Sequence, residues 1–298
     1  MNKLDQDYQN LLSNIYWNGV KENNRTGIAA YTIPSAMIQH DMSTGFPMLT
    51  IKKVPFKTMA VELEGFIKGI SSKKWFQDRG CRIWDSWCNP QKVPYGHDEE
   101  TKKKMLEEDD LGLLYGKQWR DFHDPSAYEY DYMGDIFFTG NRIDQLKNII
   151  NTLKTDPGNR RMICSAWNPL ALDHMALPPC HSLWQISVIG NKLNLNWYQR
   201  SVDAPLGICL NIPSYGLLLH LLAKESGFKE GILTGFLSNV HIYENQLDGV
   251  EEILKRKTEF KLPTIQTPSF TNIFDWKSTD TILEDYRSLG KVSMPVAV

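Results

Sequence analysis

Cys180 stands in Pro178-Pro179-Cys180-His181, ahead of a run that alternates apolar and polar residues up to Gly190-Asn191, where a second alternating run begins. Two strand-like runs joined by a Gly-Asn pair predict a β-hairpin with a two-residue turn. If Ile189 faces Lys192, an unbulged ladder sets Cys180 against Ser201 and Arg200 against His181. Thiol and guanidinium then become neighbours. The thiolate is the nucleophilic form of cysteine, and a fixed positive charge beside it favours that form. The same arginine can hold an anionic group. On these residues alone, the competing interpretation is a packing cysteine beside a solvated arginine.

The elements that must position this pair are legible from periodicity. Leu4, Tyr8, Leu11, Leu12, Ile15 and Tyr16 predict an amphipathic helix over 4–18. Pro55 can open a second helix with Met59, Leu63, Phe66, Ile67 and Ile70 as its apolar stripe, ending near Gly69. Glu62 adjoins that stripe, and Glu64 is the alternative in a shifted register. A carboxylate beside a buried face is costly unless hydrogen-bonded, so partial exposure or an ion pair is the bland expectation. Residues 144–154 carry Leu146, Ile149, Ile150 and Leu153 at helical spacing, stopped by Asp156-Pro157-Gly158. Residues 214–224 are apolar almost all round, which predicts a helix in the centre of the core. The charged run GHDEETKKKMLEEDD at 96–110 is expected to be a solvated part of a surface insertion around 90–111, with no function assigned.

A chain of 298 residues with 42% hydrophobic and 23% charged residues can bury a substantial core. No repeat or low-complexity linker divides it, so a single α+β domain over 1–298 is expected. A net charge of −2 argues against a general nucleic-acid binder, although a local phosphate pocket is compatible with it. The five cysteines are odd in number and lack metal-ligand spacing, which fits a reducing compartment and no metal. MNKLDQDYQN has no apolar signal region, and no apolar run approaches the roughly 18 residues of a membrane span. A cytoplasmic protein without membrane attachment is expected.

The chain resembles the thymidylate synthase family along nearly its whole length. The nucleophile segment is Pro178, Pro179, Cys180, His181, Trp184 and Gln185, followed by Tyr198, Gln199, Arg200, Ser201, Asp203, Leu206 and Gly207. Asn211, Ile212, Ser214 and Tyr215 continue the match, as do His241 and Tyr243. Arg25-Thr26-Gly27, Ile83-Trp84-Asp85, the run from Tyr115 to Arg120, Arg160-Arg161 and Val296-Ala297-Val298 occur in family order. The resemblance implies a large mixed β-sheet packed with helices, one sheet face forming a two-fold homodimer interface. It further implies reductive methylation of dUMP to dTMP, with 5,10-methylenetetrahydrofolate as co-substrate and Cys180 as covalent nucleophile.

Roles carry over by resemblance to individual residues. Cys180, Glu62, Arg200, His181, Asp203 and Tyr115 are the implied catalytic set. Arg25, Gln199, Arg200, Ser201, Asp203, Asn211, His241 and Tyr243 would bind the nucleotide, joined by Arg160 and Arg161 of the partner. Lys52, Ile83, Trp84, Trp87, Asp203, Leu206, Gly207, Leu210, Ala297 and Val298 would face folate. Without the resemblance, Arg25 reads as a solvated loop residue, Arg160-Arg161 as surface charges, and the tryptophans as a satellite core. An amide at Asn211 suits uracil, whereas cytosine-acting relatives place an aspartate there.

Several residues depart from the family pattern: Leu210 for Phe, Pro205 for an aromatic, Gly65 for Trp, Ser71-Ser72 for Thr-Asn, and 237–240 for Gly-Gly-Asp-Thr. They keep open a dUMP 5-hydroxymethylase, in which water completes the reaction instead of hydride. A dCMP hydroxymethylase and a catalytically silent binding homologue are further alternatives.

Overall fold

The computed structural model describes residues 1–24, 26–130, 133 and 136–296. In chain order the elements are α1 (Lys3–Asn18), β1 (Val20–Glu22), β2 (Ala30–Asp41), α2 (Phe56–Lys68), α3 (Lys73–Asp78), α4 (Glu99–Glu107) and α5 (Tyr115–Arg120). They continue with β3 (Tyr128–Tyr130), β4 (Ile136–Phe138), α6 (Gln145–Thr155), β5 (Ile163–Ser165), β6 (His181–Ile189), β7 (Lys192–Gln199) and β8 (Val202–Asp203). The last are α7 (Gly207–Ser226), β9 (Lys229–Tyr243), α8 (Leu247–Lys255), β10 (Thr264–Gln266) and β11 (Ile282–Glu284). Among the described residues, no helix is long and apolar enough to cross a membrane.

Each predicted helix forms for the reasons its pattern gave. Asn2 caps α1 by accepting from the Asp5 N–H, and Leu4, Tyr8, Leu11, Leu12 and Ile15 are its buried face. α2 ends at Gly69, whose φ of 67° suits a residue without Cβ. Asp144 caps α6. α7 is buried along most of its length and packs on β7 and β9, in the middle of the core.

The main sheet has seven strands in the order β1-β2-β9-β7-β6-β5, with β8 beside β9. β9 runs parallel to β7 and β8, and the other pairs are antiparallel, so the sheet is mixed. One face packs on the helices. On the other face Met37, Phe236, Tyr198 and Leu183 are exposed and follow one another across β2, β9, β7 and β6, because Met37 pairs with Phe236, Phe236 with Tyr198, and Tyr198 with Leu183.

The hairpin register departs from the unbulged count. Pairing runs as expected from Ile189–Lys192 to Leu183–Tyr198, but then Ser182 is skipped and His181 pairs with Gln199. Cys180 therefore lies opposite Arg200, whose N–H donates to its carbonyl at 2.8 Å, and not opposite Ser201. The extra residue of the bulge reverses the side to which His181 would otherwise point and brings its ring into the core aromatics.

The charged run also departs from expectation. Asp98 caps a helix, α4, whose ion pairs lie on the solvent side, while Met105 is buried and Lys73 Nζ donates to its carbonyl at 2.7 Å. Only Met105 and Leu106 are apolar in a stretch of charges, too few to register as a stripe.

Where α2 meets α5, a Cβ on Gly116 would lie 2.6 Å from both the Cα and the carbonyl oxygen of Phe66. Backbone cannot yield as a side chain can. Gly116→Ala is therefore expected to lower the unfolding free energy by about 1–3 kcal/mol in urea titration, despite alanine's helix advantage of about 1 kcal/mol. Wild-type stability would mean that this crossing has slack.

Candidate active site

A cavity of about 1240 Å³ opens where the ends of β2, β7, β8 and β9 meet α4 and the loops before β6. Its lining includes Cys180, Arg200, Ser201, Asp203, His241, Tyr243 and Trp87, brought together from distant stretches of the chain. A smaller hollow of about 750 Å³, near Lys3, His40 and Lys261, contains none of these residues. The larger cavity exceeds the roughly 300–1,000 Å³ usual for one small ligand, leaving room for two.

Cys180 is held through its backbone. The Cys180 N–H donates to the Tyr115 hydroxyl at 2.8 Å, and the Tyr115 ring stacks on His181 with centroids 4.2 Å apart. His181 Nδ1 hydrogen-bonds the Tyr215 hydroxyl at 2.8 Å. Part of His181 remains accessible, yet its ring is packed against those of Tyr115 and Tyr215, and burial pushes its pKa down to about 3. The imidazole is neutral at pH 7. Arg200 donates from Nε to the Pro179 carbonyl at 2.9 Å and from Nη2 to the Pro178 carbonyl at 2.7 Å. The two prolines thus fix the guanidinium beside the cysteine they precede, and among the described residues its Nη1 stays uncommitted.

Glu62 is 7% exposed, and burial raises its pKa to about 7. The Trp84 indole N–H lies near enough to favour its charged form slightly, but without hydrogen-bond geometry, so that nitrogen is a buried donor with no partner. The neighbouring Glu64 is instead saturated: it accepts from Lys68 Nζ at 2.6 Å and from the Ser278 N–H at 2.8 Å. Glu62 is thus the carboxyl whose charge is left uncompensated.

Asp203 accepts from the Leu206 N–H at 3.0 Å and from Gln246 Nε2 at 2.9 Å, while burial raises its pKa. His241 Nδ1 lies 2.9 Å from the Asn239 carbonyl; that carbonyl can only accept, so Nδ1 carries a proton and, in the neutral tautomer, Nε2 is the acceptor. The Trp197 indole, a donor only, bonds Gln199 Oε1 at 3.2 Å. That leaves Gln199 Nε2 to donate to Asn211 Oδ1 at 3.0 Å. The indole thereby decides which way both amides face.

Glu62, Trp84, Tyr115, His181, Gln199 and Asn211 lie behind the cavity lining, not in it, and other predicted residues are also apart from it. Lys52 is buried, with Nζ donating to the Pro205 carbonyl at 2.7 Å. Ile83, Leu206, Gly207 and Leu210 are half-buried around the site without lining the cavity. Arg160 and Arg161 are exposed in the turn before β5 and do not reach this chain's own cavity. Arg25, Ala297 and Val298 lie outside the described residues. Sequence reasoning missed Trp197, Trp167, Gln246 and the α4 wall, where Met105 and Leu106 face the cavity with Leu172 and Leu177. Among the described residues, no group of three or more His, Cys, Asp or Glu is placed to hold a metal.

A family model described as Thymidylate synthase matches residues 6–298, a span that contains every one of these site residues.

The raised Glu62 pKa has a signed consequence for stability. Between about pH 4.5 and 7 the folded chain holds a proton at Glu62 that the unfolded chain has lost, so this group's contribution is full at low pH and disappears as pH rises through 7. His181 acts oppositely as pH falls from 6.5 towards 3. The difference between Glu62→Gln and wild type isolates the glutamate: the variant is expected to gain about 3 kcal/mol relative to wild type between pH 4.5 and 8. Parallel stability curves for the two proteins would refute it.

Proposed function

The chain belongs to the thymidylate synthase family, and from that premise we propose that it converts dUMP to dTMP with 5,10-methylenetetrahydrofolate. The observation that carries the reading is the convergence of Cys180, Arg200, Asp203 and His241 on one cavity large enough for two substrates.

In this reading the Cys180 thiolate adds to carbon 6 of the pyrimidine, which makes carbon 5 nucleophilic toward the one-carbon unit. Methylenetetrahydrofolate supplies that unit and the hydride that completes the methyl group. Arg200 and Ser201 bind the phosphate with Arg25, and His241 Nε2 accepts from the sugar hydroxyl while Tyr243 supports it. A group titrating near 7 suits proton transfer in either direction, which is the role of Glu62, acting through water. Neutral His181 aligns the segment and donates no charge. Asn211, turned by the Trp197–Gln199 relay, keeps an Nδ2 donor for a uracil carbonyl and a second Oδ1 lone pair for the ring N–H; this favours dUMP over dCMP. Trp87 and the apolar α4 wall line the cavity and suit the flat body of a reduced folate, with Asp203 beside it and Trp84 buried behind the lining. Lys52, Leu206, Gly207, Leu210, Ala297 and Val298 complete that side.

The working unit in this reading is a cytoplasmic two-fold dimer. The exposed row Met37, Phe236, Tyr198 and Leu183 gives it an apolar contact face, and Arg160 and Arg161 are outward-facing cations available to the partner's phosphate. Sedimentation of the purified chain is expected to give a dimer carrying all the activity. A fully active monomer would remove the shared site.

The chemistry is tested by mixing the protein with both substrates, following dihydrofolate absorbance and weighing the nucleotide. Dihydrofolate and a methylated product are expected, and Cys180→Ser is expected to bind dUMP while losing at least about 10³-fold in turnover. A hydroxymethylated product without dihydrofolate would make the protein a hydroxymethylase. Nucleotide binding without turnover by the wild type would make it a silent homologue.

A further inference from the structure

Gln246, just before α8, is 1% exposed and serves three partners with one flat group. Its Nε2 donates to Asp203 Oδ2 at 2.9 Å and to the Pro295 carbonyl at 3.2 Å. Its Oε1 accepts from the Tyr243 N–H at 3.0 Å. An amide supplies two donors and an acceptor together, which neither a carboxylate nor an ammonium does. One helical turn on, a Cβ at Gly249 would lie 2.8 Å from Met294 Cε and 3.3 Å from Val292 Cγ1, so the C-terminal segment sits in a notch that only glycine leaves. Arg256 Nη1 ties the same segment upstream by donating to the Gly290 carbonyl at 3.1 Å. Val296, directly after Pro295, lines the cavity.

We propose that Gln246 is a positioning residue that couples the C-terminal segment to Asp203, with Gly249 providing the seat from which that segment reaches the cavity rim. The functional side of this inference rests on Asp203 facing the folate. The same amide that orients the Asp203 carboxylate also bonds the Pro295 carbonyl, the last such side-chain bond to the segment among the described residues, so displacing either partner frees the other. Burial also disfavours the Asp203 charge that Gln246 helps to hold, which makes the carboxylate sensitive to loss of the amide.

The first test needs no ligand. Gln246→Met keeps side-chain length and apolar bulk but removes all three hydrogen bonds. Hydrogen exchange in the peptide spanning Gly290 to Val296 is expected to speed up about tenfold, the worth of one net hydrogen bond. Unchanged exchange overturns the coupling, and it does so whether or not the protein turns over dUMP. In kinetics, the KM for methylenetetrahydrofolate is expected to rise about tenfold while dUMP affinity stays near wild type and Tm falls only by the few degrees that lost hydrogen bonds cost. Gly249→Leu fills the notch with a better helix former and is expected to raise the same KM without lowering Tm. Truncation before Ser293 completes a cycle: Gln246→Met is expected to cost less in the truncated chain than in the full chain. Equal costs in both, or a joint loss of dUMP and folate binding with a fall in Tm beyond those few degrees, would make Gln246 merely structural.

Discussion

The hydrogen bond from the Cys180 N–H to the Tyr115 hydroxyl fixes where the backbone of Cys180 enters β6, and the site depends on that hydroxyl staying in place. An unbroken column of rings keeps it there. Phe66 stacks on Tyr115 at 4.9 Å, Tyr115 on His181 at 4.2 Å, His181 meets Tyr215 edge-on at 5.5 Å, and Tyr215 stacks on Trp197 at 5.1 Å. The column draws one ring from each of α2, α5, β6, α7 and β7, so two layers of the fold converge on the cysteine. Pairs of this kind contribute about 0.5–1.5 kcal/mol each beyond their buried area. The close approach of α2 to α5 at Gly116 is what lets the first pair stack.

Carboxyl groups divide by how they meet burial. Asp5 is fully buried, but accepts from the N–H groups of Thr50 and Ile51, from the Thr50 hydroxyl and from Asn2 Nδ2. It joins α1 to the loop before α2 and has no capacity left for chemistry. Glu62, nearly as deep, has no such set of donors among the described residues, and its proton affinity rises accordingly. Asp203 is intermediate, with one donor from the turn that opens α7 and one from Gln246. Position in the sequence distinguishes none of these; the number of donors around each carboxyl does.

Much of the fold was legible because its signals are local. α1, α2 and α6 follow from apolar spacing and their stops, and the β6–β7 hairpin from alternation and Gly190-Asn191. The prediction failed where local rules were overridden: Ser182 bulges out of the ladder so that His181 can join the ring column, and α4 carries its two useful apolar residues inside a charged run. For the site, motif resemblance named Cys180, Arg200, Ser201, Asp203, His241 and Tyr243 in the cavity lining but not its apolar wall, nor Gln246 behind it, which lies 43 residues from Asp203 and 49 from Pro295.

By itself the sequence determined residue chemistry and periodicity: a thiol after two prolines, an arginine one ladder step away, an amide at 211, and helices whose apolar stripes must be buried. Tertiary structure alone decided which carboxyl is starved of donors, which way the Gln199 and Asn211 amides face, and what the C-terminal segment rests on. The reason is physical. Desolvation and hydrogen-bond saturation are properties of the surroundings, and those surroundings are assembled from segments that sequence spacing does not relate.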